Sequence, residues 1–121
     1  MNEAGSLKLL IAEDNAALRR LIGVVVDRVA GEIRDSMHPQ ELEQAYMAWG
    51  PDFVLIDGDM TSLDGIALTR RIKAADPSGK VIILSNYDSA ELREAAVQAS
   101  ALGYVIKDDL LDLSRLLVPH R

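Results

Sequence analysis

The chain has 121 residues, 49% of them hydrophobic and 26% charged, with a formal charge of −6 and no cysteine. That is the size and balance of one globular domain with one core, not of a disordered chain. The missing cysteines exclude disulfides and thiolate metal sites, and the acidic balance argues against non-specific binding to a nucleic-acid backbone.

Along the chain, short apolar runs alternate with segments of helical period. Leu7-Lys8-Leu9-Leu10-Ile11-Ala12 reads as a buried strand. Apolar positions 18, 21, 22, 25 and 29 then repeat along one helix face, and Asp14 or Asn15 can cap that helix. A second strand is expected from about Gly31 to Met37, with only Ile33 and Met37 as apolar content. Pro39 suits a first helical turn; Leu42, Ala45, Tyr46 and Trp49 continue the stripe, and Gly50-Pro51 stops it. Phe53-Val54-Leu55-Ile56 is a third apolar run, followed at once by Asp57. A loop leads to a helix striped by Leu68, Ile72 and Ala75, and Asp76-Pro77-Ser78-Gly79 is turn chemistry. Val81-Ile82-Ile83-Leu84 makes a fourth strand, and Asp88 with Glu91 resembles a capping box for a helix lined by Leu92, Ala95, Ala96 and Ala99. Leu102 to Ile106 reads as a fifth strand, and Leu110, Leu113 and Leu117 mark a last helix closed by Pro119.

Near-continuous apolar strands joined by helices indicate a parallel sheet covered on both faces. Right-handed crossovers make it an open, doubly wound α/β sheet, which binds ligands beyond the carboxyl ends of its strands. The polar residues at those ends are Glu13 and Asp14, Asp57, Ser85 and Lys107. Each taken alone is ordinary: an acid after a strand often caps a helix, and Ser85 and Lys107 are common loop residues. Together, three carboxylates, a hydroxyl and an ammonium make an odd set for structural purposes. Crowded carboxylates repel one another, and a hard divalent cation such as Mg²⁺ relieves the repulsion while keeping open positions for phosphate oxygens.

The order Glu13-Asp14-Asn15, Val54-Leu55-Ile56-Asp57, Met60-x-x-x-Asp64-Gly65, Ile83-Leu84-Ser85 and Gly103-Tyr104-x-x-Lys107 resembles the receiver domain of bacterial response regulators. The resemblance covers the chain from the first strand to the last helix. It implies a flavodoxin-like (βα)5 fold with strand order 2-1-3-4-5, residues 1–121 forming one receiver domain. Asp57 would accept a phosphoryl group from the phosphohistidine of a sensor histidine kinase or a histidine phosphotransfer protein. Glu13, Asp14, Asp57 and the backbone carbonyl of Asp59 would hold Mg²⁺ (or Mn²⁺). Lys107 and Ser85 would each bind a phosphoryl oxygen, and Tyr104 resembles the aromatic that changes position with the serine. The helix 4, strand 5 and helix 5 surface would carry the output, homodimerisation included.

Some positions depart from the family pattern. Met60-Thr61 replaces a usual Met-Pro, and Asp108 stands where proline commonly follows the lysine, so a cis Lys107–Asp108 bond would cost about 3 kcal/mol. Asn86 is larger than the usual neighbour of the serine, and Asp59 and Tyr87 lie where side chains tune phosphoryl lifetime. Two other readings compete. Asp57-Gly58-Asp59-Met60-Thr61 also resembles the Asp-x-Asp-x-Thr motif of haloacid-dehalogenase-type phosphatases, and the fold can serve as a binding module that is never phosphorylated. On the receiver reading the chain is a signalling domain that promotes its own phosphorylation and dephosphorylation, without turnover of an external substrate.

The closing Gly103-Tyr104-Val105-Ile106-Lys107-Asp108 resembles receivers joined to helix-turn-helix (LuxR-type) transcription factors, which leaves open an output domain beyond Arg121. No apolar run approaches the roughly 18 residues of a membrane span, and residues 1–6 carry no export signal, so a cytoplasmic location without membrane or direct nucleic-acid contact is expected.

Overall fold

The computed structural model describes residues 6–36, 38–59 and 64–117. Five strands alternate with helices: β1 (Leu7–Ala12), α1 (Ala16–Val25), β2 (Ala30–Asp35), α2 (Pro39–Trp49), β3 (Phe53–Asp57), α3 (Gly65–Ala75), β4 (Val81–Ser85), α4 (Ala90–Gln98) and β5 (Gly103–Ile106). A 3-10 segment, Lys107–Asp112, then leads into a short α5, Leu113–Leu116. All pairings are parallel and the strand order is β2-β1-β3-β4-β5, as the resemblance implies.

The two-residue period of the strands builds the core. Leu9, Ile11, Phe53, Leu55, Ile82, Leu84 and Val105 face one side, against Ile22 and Val26 at α1 and Leu113 and Leu117 at α5. The alternate residues Leu10, Val54, Ile56, Val81 and Ile83 face the other, against Leu42 and Tyr46 of α2, Leu68 and Ile72 of α3 and Ala96 of α4. Strands buried on both faces carry continuous apolar runs, which is why β1, β3 and β4 stand out in the sequence. Each such Leu or Ile removed from water contributes roughly 1.5–3 kcal/mol.

The edges depart from expectation. β2 begins at Ala30 and ends at Asp35, short of Met37, which lies outside the described residues. It is an edge strand held to β1 by backbone pairing, and Ile33, the expected anchor, is 41% exposed. The Arg34 guanidinium instead lies over the Trp49 ring, 4.3 Å from its centroid, which joins β2 to α2. Helix α1 stops at Val25, so Val29 lies past it, and Leu21 faces solvent. Asn15, not Asp14, caps α1: its Oδ1 accepts from the Leu18 N–H at 3.1 Å.

The cap of α4 is Ser89, whose Oγ accepts from the Leu92 N–H at 3.1 Å. Asp88 pairs with Arg93 at 2.6 Å, so the Asp88–Glu91 capping box is not formed. Leu110, Leu113 and Leu117 are all buried, but no continuous helix carries them. Asp109 has non-helical angles (φ −120, ψ 47), so a 3-10 turn precedes the single α turn. Pro119 and Met60-Thr61 lie outside the described residues. Among the described residues no peptide bond is cis, so Lys107–Asp108 is trans.

Candidate functional site

Parallel register brings the candidate residues to one edge. Ala12 pairs with Ile56, Asp57 with Leu84, and Ser85 with Ile106. Glu13, Asp57, Ser85 and Lys107 therefore end their strands within about a residue of the same level, where the chain leaves the sheet. Gly58 lets β3 turn away tightly. Its N–H donates to the Leu84 carbonyl at 2.8 Å, and a Cβ there would lie 3.0 Å from Ile83 Cγ2.

Asp57 and Glu13 are almost wholly buried, at 3% and 1% exposure. The Lys107 ammonium lies between them, 3.0 Å from Asp57 Oδ2 and 3.1 Å from Glu13 Oε1. Burial pushes the Glu13 carboxyl above its ordinary pKa and the Asp57 charge adds to this, against the pull of the Asn15 N–H and the ammonium. For Lys107, burial acts downward, but the bonds and charges of Asp57 and Glu13 outweigh it and raise the ammonium's pKa. Asp57 Oδ1 accepts the backbone N–H of Asp59 at 2.8 Å, so both acceptor oxygens have partners.

Asp14 is exposed and completes an acidic trio. Glu13, Asp14 and Asp57 each offer a carboxylate oxygen, all within 4.8 Å of one another. Hard oxygen donors at that spacing, with one exposed and two buried, fit Mg²⁺ or Mn²⁺. The charge argues the same way: Glu13, Asp57 and Asp59 lie within 3.9 Å of the one Lys107 ammonium, and Asp14 adds a fourth carboxylate to the pocket through the acidic trio.

Ser85 is fully buried, and its hydroxyl donates to Asp59 Oδ1 at 2.9 Å while accepting the Tyr87 N–H at 3.1 Å. The Asn86 backbone N–H donates to Asp59 Oδ2 at 2.6 Å, and that oxygen lies 3.9 Å from the Lys107 ammonium. The half-buried Tyr104 donates its hydroxyl to the Tyr87 carbonyl at 2.6 Å. The Arg93 guanidinium of α4 covers the Tyr104 ring at 4.6 Å. A continuous line of contacts thus joins Asp59 through Ser85 and Tyr87 to Tyr104 and α4.

The structure brings together every residue that the sequence placed here, with Tyr87 exposed at the rim. Sequence reasoning missed the support around Glu13. The Asn15 N–H donates to Glu13 Oε2 at 3.1 Å, and Arg19 donates to the Glu13 carbonyl at 2.7 Å while pairing with Asp35 at 3.2 Å. The signal for Arg19 was present, since a helix residue one turn after the acidic pair faces the loop below it. The bonds of the Asp59 carboxylate had none, because they depend on how the loop folds back.

Known proteins give the same picture. The chain is 28% identical over 109 residues to the uncharacterized transcriptional regulatory protein YxjL of Bacillus subtilis, covering 86% of this chain and 49% of that protein. It is 27% identical to the transcriptional regulatory protein PhoP of Escherichia coli, covering 84% of this chain and 45% of that one. The chain therefore spans about half the length of these curated relatives. A DNA-binding response regulator of the LuxR family from Staphylococcus aureus shares the fold, with a TM-score of 0.79 at 23% identity over 92% of this chain and 95% of that one. The haloacid-dehalogenase reading of Asp57-x-Asp59 gives way to this likeness, which runs through the whole chain and not one loop. Residues 9–117 match the response regulator receiver domain, and the chain belongs to that family of two-component signalling domains.

Proposed function

We propose that this receiver accepts a phosphoryl group on Asp57 from the phosphohistidine of a sensor histidine kinase or a histidine phosphotransfer protein. The P–N bond of the donor breaks as a P–O bond forms to an Asp57 carboxylate oxygen, and the departing imidazole keeps the electron pair and takes up a proton. The observation that carries this reading is the pairing of a buried Asp57 with the Lys107 ammonium at 3.0 Å inside the acidic trio. Lys107 neutralises charge as phosphoryl oxygens approach, and the Ser85 hydroxyl donates to one of them. Glu13, Asp14, Asp57 and the Asp59 carbonyl are the residues that would hold Mg²⁺ (or Mn²⁺), whose charge neutralises the transferring group when it is bound.

The new group adds a charge of roughly −1.5 to −2 beside Ser85 and biases the line running to Tyr104. The α4, β5 and α5 face, where Val97 is exposed, then carries the output contact, including a homodimer. The relatives named as transcriptional regulators support transcription as that output, through a helix-turn-helix domain of the LuxR type or a partner.

The test is incubation with acetyl phosphate and Mg²⁺ followed by intact-mass measurement. Gain of one phosphoryl group, abolished in Asp57→Asn and by chelation of the metal, is expected. Absence of the gain in folded protein returns the chain to a receiver-fold binding module.

A further inference from the structure

A phosphoryl group on Asp57 needs donors for its oxygens, and the best placed are already taken. The Asp59 carboxylate accepts from the Ser85 hydroxyl at 2.9 Å and from the Asn86 N–H at 2.6 Å. One of its oxygens lies 3.9 Å from the ammonium that binds Asp57, and its own N–H holds Asp57 Oδ1 at 2.8 Å. A planar anion therefore sits beside the acceptor, within reach of three donors that a phosphoryl group would use. A side chain that only braced the β4–α4 turn would not need to hold the buried hydroxyl at the end of β4, the strand paired with the one that ends in Asp57.

We propose that Asp59 is a built-in substitute for the phosphoryl group, whose carboxylate occupies Ser85 and the Asn86 N–H until phosphorylation displaces it. The proposal rests on the reading of Asp57 as the acceptor. It makes Asp59 a positioning residue that opposes gain of the phosphoryl group and recaptures both donors on its loss. The substitute also holds Ser85, and through it Tyr87 and Tyr104, in one arrangement while the protein is unphosphorylated.

The test titrates the full chain with beryllofluoride and Mg²⁺, a non-covalent mimic of the phosphoryl group, and follows the ¹⁵N-labelled amide of Asn86. Asp59→Ala is expected to bind the mimic about tenfold more tightly than wild type, the equivalent of one charge-assisted hydrogen bond no longer surrendered. Before any addition, the Asn86 amide proton of Asp59→Ala should resonate upfield of wild type, because its bond to a carboxylate is gone. Asp59→Asn, which keeps the size but not the charge, should fall between the two. An Asp59→Ala protein that is folded and binds no more tightly than wild type overturns the substitute and leaves the acceptor reading standing. A gain in Asp59→Asn equal to that in Asp59→Ala overturns occupancy in favour of charge alone. Uptake by neither protein overturns the acceptor reading and the substitute with it.

Discussion

Removing the Lys107 ammonium tests whether this pocket is held together by charge. Nζ lies 3.0 Å from Asp57 and 3.1 Å from Glu13, and the three side chains are 10%, 4% and 1% exposed. At an effective dielectric constant of about 20, each contact at that range is a gross attraction of roughly 5 kcal/mol, largely offset by the desolvation of the partners. Lys107→Met keeps the stem and deletes the charge, leaving two buried carboxylates to face each other. Breaking a buried pair in this way costs about 3–5 kcal/mol. The pocket opens to solvent at Asp14, so the lower end, about 3 kcal/mol, is expected without metal, or roughly 10–15 °C in Tm for a domain of this size.

The assay is urea unfolding followed by circular dichroism, with and without Mg²⁺. The cation should stabilise Lys107→Met more than wild type, since it supplies the counter-charge the lysine no longer gives. Adding Asp57→Asn should restore part of the loss, with a coupling above about 1 kcal/mol. A loss below about 0.5 kcal/mol, indifferent to Mg²⁺, would refute the reasoning, because the carboxylates would then be tolerating each other unaided.

Other expectations follow from particular contacts. The Tyr46 hydroxyl lies 2.5 Å from Asp76 Oδ2 and lowers the Asp76 pKa, with Ser78 adding to the effect. A carboxyl with a depressed folded pKa contributes stability above its unfolded value and loses it as pH falls through the folded one. Tyr46→Phe should therefore cost about 1 kcal/mol near neutral pH, and the gap from wild type should close below about pH 4 in urea midpoints. Gly58→Ala pushes a Cβ to 3.0 Å from Ile83 Cγ2 and should cost about 1–3 kcal/mol by overpacking, read as a fall in urea midpoint. Ser89→Ala removes the cap of α4 and should cost about 1 kcal/mol, whereas Asp88→Ala breaks only an exposed pair and should cost less than about 0.5 kcal/mol. Equal losses in the two would restore the capping role to Asp88.

How much of this was legible depended on what holds each element. β1, β3 and β4 are buried on both faces, so burial itself wrote their apolar runs into the sequence. β2 is held through its backbone to β1, and backbone bonds leave no residue pattern, so its limits were misplaced. The last helix misled for another reason. Leucines at 110, 113 and 117 satisfy a 3-10 turn followed by one α turn as well as they satisfy a single helix. At the site, parallel register made strand ends sufficient to find Glu13, Asp57, Ser85 and Lys107. The bonds of Asp59 were not legible, since they set a loop carboxylate against a residue 26 positions away.

The outer margin of the sheet at β2 opposes edge-to-edge pairing. The strand there displays Glu32, Arg34 and Asp35. An incoming strand would have to strip water from those charges and displace the guanidinium resting on Trp49. Lateral polymerisation is thereby discouraged at that rim. A contact made through a helical face would form and dissociate without exchanging backbone hydrogen bonds.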